Sequence, residues 1–226
     1  MLTQPIRSLL SLPLLLGLPL MATAHPHVYI DAGLGLVYDG QGRLTGVEVE
    51  WAYDELYSLL IVEDLGLDQD GDGVLPEDER AALQGFDTDW EPGFDGRLYL
   101  LVNGQRQELL PPENFDADYR DGRVLSRHLR PLAQPLAGDA ALTVQVHDPE
   151  FYVDFTIPKE PGISGRDDCD TVLVHGDPAA APAAYRDAVN AALAEADDPM
   201  VNEEVLIVDI GGVGGDEVQV QCGAAE

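Results

Sequence analysis

The 226-residue sequence predicts an α+β fold, a strand-rich antiparallel sandwich with an inserted helix-loop-helix and a C-terminal helix. Three observations predict it. Apolar and polar residues alternate with the period of two that a half-buried strand needs, over most of the chain. Asn-Gly and Asp-Gly pairs sit between those segments, where tight hairpin turns demand positive φ. Helical spacing is confined to a stretch after the first hairpin and an alanine-rich stretch near the C terminus, the segregation expected of an α+β chain.

In order, residues 1–24 read as a secretory signal peptide. Arg7 supplies the positive end, "LLSLPLLLGLPLM" the apolar run and "ATA" the small-residue cleavage site. The run is too short and too proline-interrupted for a membrane span. Cleavage makes His25 the first residue of a single exported, periplasmic domain, 25–226. "HVYIDAGLGLVYD-GQG-RLTGVEVEWAYD" is a hairpin, and "DELYSLLIVEDLGL" a helix with Leu56, Leu59, Leu60 and Glu63 at helical spacing. "PEDERAALQG" starts at a proline and ends at a glycine, as a short helix does. Hairpins follow around Asn103-Gly104 and Asp121-Gly122, then "AALTVQVHDPEFYVDFTI" as a long strand broken at Pro149. "CDTVLVH", "EEVLIVDI" and "EVQVQC" read as strands, "PAAAPAAYRDAVNAALAEA" as a helix, and Gly211 to Gly215 as a flexible turn.

Charge narrows the partners. Removal of Arg7 with the signal leaves 11 basic residues against 42 acidic ones, a net charge of −31. Such a surface repels nucleic acid and anionic lipid and attracts cations, and it also suits solubility in a salty medium. No direct membrane insertion is expected once the signal is gone. Cys169 and Cys222 are the only cysteines, one at the start and one at the end of a strand. An even pair in an exported chain favours a disulfide, and one thiol per segment is poor zinc-site spacing.

The segment "DQDGDGVLPEDE", 68–79, matches the twelve-residue EF-hand loop. Asp68, Asp70 and Asp72 stand at positions 1, 3 and 5, Gly73 at 6, Val74 offers its carbonyl at 7, and Glu79 can bind bidentately at 12. Calcium takes six to eight hard oxygens, which a curled acidic loop supplies. Pro76 at position 9 offers no side-chain ligand, leaving that vertex to water. The insertion is thus EF-hand-like, about 54–85. No second loop accompanies it: "DTDWEPGFDG", 87–96, has Pro92 where the turn glycine belongs. A lone extracytoplasmic site is expected to bind calcium weakly and to serve the fold.

His25 and His27 form the second candidate metal site. A free terminal histidine chelates through its amine and ring nitrogen, a donor set for nickel, cobalt, copper or zinc. Pro26 has no amide hydrogen to lose, which closes the square-planar amino-terminal copper motif. The two side chains fall on one strand face. His128 in "SRHLRP" and His147 in "VHDPEF", with Asp148 and Glu150 beside it, are further candidate ligands, and His175 is the weakest.

The segments "AHPHVYIDA", "VEWAYDELYSLL", the acidic Asp/Gly loop and "VHDPEFYVDFT", in this order over most of the chain, resemble an uncharacterised family of bacterial periplasmic proteins. These are described as the periplasmic component of an ABC-type transport system and are often encoded beside nickel/cobalt-type permeases. The resemblance implies periplasmic metal binding or delivery, with a membrane metal permease or transporter component as partner. Where that family has an aromatic residue before "DPE", this chain has His147. The expected function is a metal-binding accessory protein of transition-metal transport with one structural calcium loop. The alternative is a calcium-stabilised envelope interaction module without metal cargo. No nucleophile elbow, H-E-x-x-H or distinct catalytic carboxylate pair is present, so no enzyme is expected.

Overall fold

A computed structural model describes residues 25–196 and 206–223. The expected signal, 1–24, and the first residues of the expected strand "EEVLIVDI" lie outside them. Two sheets face one another. β1 (Val28–Tyr38) and β2 (Leu44–Tyr53) form the first hairpin. Its turn is closed by the Asp39 carboxylate, which accepts from the backbone of Gln41 and Arg43. Alternation places Ile30, Ala32, Leu34 and Leu36 of β1, with Val47, Val49 and Trp51 of β2, in the core.

Outside β2 runs β6 (Arg123–Leu136), hairpinned to the edge strand β5 (Glu113–Arg120). The second sheet is built from β3 (Leu98–Val102), β4 (Gln105–Arg106), β7 (Leu142–Val146), β10 (Cys169–Val174) and β11 (Glu217–Cys222), ordered β10-β11-β7-β3-β4. Leu98 and Leu100, Val144 and Val146, and Val218 are fully buried between the sheets. Each such side chain contributes roughly 1.5–3 kcal/mol.

The region around Pro149 departs from the sequence reading. Instead of one broken strand, the chain leaves the second sheet after β7 and enters the first as β8 (Val153–Thr156), which pairs with β1. β8 and β9 (Gly162–Ser164) run parallel to β1, so the otherwise antiparallel sandwich carries parallel strands at one edge. Alternation specifies a strand's faces, not its sheet, which is why this crossover was invisible. Residues 206–210 are likewise no strand. The Ile210 amide donates to the Pro149 carbonyl at 2.7 Å, and Leu206, Val208 and Ile210 lie on α3 (Ala180–Glu195).

The Cys169–Cys222 disulfide is present. The two residues face each other across the β10–β11 ladder with Cα atoms 3.9 Å apart. Among the described residues no helix is long and apolar enough to cross a membrane.

α1 (Glu55–Asp64) is held at the end of the sandwich by two polar anchors. One Asp54 oxygen accepts from the Tyr57 amide and the other from the Tyr29 amide, both at 2.9 Å, joining helix start to β1. Ser58, fully buried, donates to the Tyr53 carbonyl and accepts from the Val124 amide. α2 (Glu77–Ala82) follows the acidic loop, with Glu77, Asp78 and Glu79 in its first turn, where the helix dipole favours them.

Candidate metal-binding sites

The 68–79 loop is curled on its own carboxylates. Asp68 turns its carboxylate inward to accept from the amides of Asp72 and Gly73, and Asp72 accepts from Val74. Gly73 has φ +75, a conformation that admits glycine freely and keeps the turn tight. Glu79 reaches back across the loop to accept from the Asp68 amide at 2.9 Å. Leu75 is buried in the core and pins the loop's exit.

Asp68, Asp70 and Asp72 bring ligand oxygens within 4.8 Å of one another. Calcium–oxygen bonds of about 2.3–2.6 Å place opposite ligands about 5 Å apart, so all three oxygens fit one coordination shell. Glu79 stands at the same end of the loop without belonging to that group. The donor set is hard oxygen throughout, which suits calcium and not a soft metal.

His25 and His27 share one cleft. Their ring centroids are 4.7 Å apart although both precede β1. Of the residues that complete it, the sequence pointed to Glu150 but not to Tyr152 or Tyr185. The Tyr185 hydroxyl lies 2.9 Å from His25 Nδ1, and the rings of those residues are 4.6 Å apart. Tyr152 packs on His27 at 4.8 Å, and Glu150 borders the same space of about 350 Å³, closed by Leu206 to Val208.

The local sequence explains this assembly. Asp148 is buried and accepts from the amides of Glu150, Tyr152 and Val153 while pairing with Arg97 at 3.0 Å. It is thus the organiser of the loop and not a cleft ligand. Folded around it, the loop turns Glu150 and Tyr152 toward the histidines, and the Tyr152 carbonyl accepts from the His27 amide. Phe151, at φ +54, drops into the satellite core beside Tyr185. Tyr185 is the one aromatic side chain of an alanine-rich helix, four residues before Val189, and both are buried. That lone aromatic was the signal available.

His128 and His147 line other places. His128 is 2 % exposed, inside a box of Trp51 and Trp90 at 5.1 Å and Phe115 at 5.7 Å. Among the described residues neither of its ring nitrogens meets a hydrogen-bond partner. Burial, aided by the Arg130 charge, pushes its pKa down to about 4. His147 stacks on Tyr99 at 4.0 Å and lies flat against Gly212, where a Cβ would come within 2.9 Å of the ring. Gly212 is therefore a packing residue and not merely part of a flexible turn. Burial lowers the His147 pKa too. His175 contacts Asp216 at 3.3 Å. Of the four histidines expected as metal ligands, only His25 and His27 are brought together. The physical reason is that β6 turns His128 into the core, while β7 ends beside Tyr99 and leaves His147 there.

Residues 10–222 match the family described as Protein of unknown function (DUF1007). The chain belongs to the DUF1007 family. No curated protein and no solved structure matches it. The segments that carried the sequence resemblance thus have structural duties in this DUF1007 chain. "HPH" and "DPEFY" build the histidine cleft, "AYDELYSLL" docks α1, and the Asp/Gly segment curls into the acidic loop.

Proposed function

We propose that this DUF1007 protein is a periplasmic metal-binding accessory protein of a transition-metal transport system, which passes a divalent ion to or from a membrane permease. His25 and His27 hold the transported ion, and the 68–79 loop holds calcium as part of the fold. The observation that carries the reading is the contact of the two histidine rings in one cleft, with the Tyr185 hydroxyl 2.9 Å from His25 Nδ1. That separation is a hydrogen bond's, so Tyr185 orients the His25 ring beside His27 as an outer partner orients a metal-ligating histidine. A terminal amine at His25, freed by cleavage after Ala24, adds a further donor. Imidazole and amine favour copper, nickel, cobalt or zinc over calcium.

The test is elemental analysis of protein purified from its export compartment and incubated with each of these metals, the mature terminus being fixed by intact mass. Wild type is expected to retain near-stoichiometric transition metal, and His25→Ala/His27→Ala to lose it with calcium unchanged. Calcium alone in both proteins would overturn the reading and favour an interaction module without cargo.

A further inference from the structure

The outer face of α1 is apolar. Leu56, Leu59 and Leu60 are 69 %, 57 % and 47 % exposed, and their i, i+3, i+4 spacing gathers them on one side of the helix. The opposite side is already spent: Ser58 and Val62 are buried in the domain, with Tyr57 and Ile61 packed against its core. A helix that is apolar on its solvent side has a contact to make, since contiguous exposed apolar surface marks interaction sites.

Its surroundings say what the contact carries. Glu55, Glu63 and Asp64 flank the leucines, and α1 carries no lysine, arginine or histidine. A second copy would bring the same acidic rim against itself, at a net charge of −30 for each chain. An anionic lipid surface is repelled for the same reason.

We propose that this face docks a cationic amphipathic segment of a partner protein. The partner presents an apolar stripe to Leu56, Leu59 and Leu60 and lysine or arginine side chains to Glu55, Glu63 and Asp64. This inference stands apart from the metal reading, because the surface exists whatever the histidines bind. The two are neighbours, however: Asp54, which caps α1, also accepts from Tyr29, two residues beyond His27.

The probe is a labelled helix-forming peptide with a leucine stripe and lysine flanks, titrated into the full mature protein by fluorescence anisotropy. A peptide of the same composition with its leucines dispersed, and a leucine/glutamate peptide, serve as controls. The test variant is Leu56→Ser/Leu59→Ser/Leu60→Ser, which keeps every charge and alters only exposed positions, with circular dichroism and Tm checking the fold. The striped cationic peptide is expected to bind, to weaken with added salt, and to lose about a hundredfold in affinity to the triple variant. Equal binding of the dispersed peptide, or no loss in the variant, would overturn the proposal. So would a concentration-dependent dimer, or adsorption to phosphatidylcholine or phosphatidylglycerol vesicles, that the serines abolish.

Discussion

Lowering the pH from about 7.5 to about 5 tests the burial of His128 directly. The folded protein holds this imidazole neutral, with its pKa down to about 4, because charging it would strand a cation among Trp51, Trp90 and Phe115 beside Arg130. Unfolded, the same group titrates near 6.5. Below that value the unfolded chain binds a proton that the native state refuses. The stability is therefore full above pH 6.5 and is lost as the pH falls toward 4. At pH 5 the loss from this one residue is about 2 kcal/mol, approaching about 3 kcal/mol below pH 4. In a domain of this size about 2 kcal/mol lowers Tm by roughly 4–8 °C. The comparison is His128→Leu, which fills the box without nitrogens. Both proteins share every other titration, including His147 and the relief of carboxylate self-repulsion, so urea melts at the two pH values isolate His128 by difference. Wild type should lose about 2 kcal/mol more than the variant between them. Parallel losses would refute the claim that His128 is a neutral core residue.

Two further outcomes follow from the same geometry. Calcium at about 2 mM, acting on a site of roughly 10⁻⁴ M affinity, should stabilise the fold by about 2 kcal/mol; a calorimetric Tm that ignores chelator, or that rises equally in Asp70→Asn/Glu79→Gln, would contradict the loop assignment. Replacing Cys169 and Cys222 by alanine opens a loop closed over 53 residues, for which chain entropy predicts a loss of about 4 kcal/mol in urea melts, read against wild type in the absence of reductant.

How far the sequence could lead is visible residue by residue. The first hairpin, the Cys pair and the acidic loop were legible because each is specified locally: alternation with a turn, cysteines at opposite strand ends, six loop positions in order. What joins distant segments was not. Asp148 stood in the sequence as a candidate ligand, yet it accepts three amides and pairs with Arg97, a role that shows only when the chain has crossed between sheets. Tyr185 reaches His25 across 160 residues. His128 stood as a further candidate ligand, since a period of two gives the two faces of a strand without saying which is inward.

β6 shows why polarity was a poor guide there. Its inward row reads Val124, Ser126, His128, Arg130 and Leu132, all buried, with three polar side chains in the middle. An unmet buried polar group costs about 1–3 kcal/mol, so partners for Ser126 and Arg130 matter to this row. The segment 87–96, legible only as acidic, supplies them. The Asp87 carboxylate accepts from Ser126, and burial raises its pKa. The Asp95 carbonyl accepts from Arg130 at 2.7 Å, and Trp90 lies under that guanidinium and against His128. Gly96, at φ +72, brings the segment so close that a Cβ there would collide with Trp90 and Arg130. The acidic segment that fails as a second calcium loop is thus the cover of β6. Two of its aspartates and its tryptophan are spent on a buried strand, whereas Asp68, Asp70 and Asp72 keep their carboxylates together in the 68–79 loop.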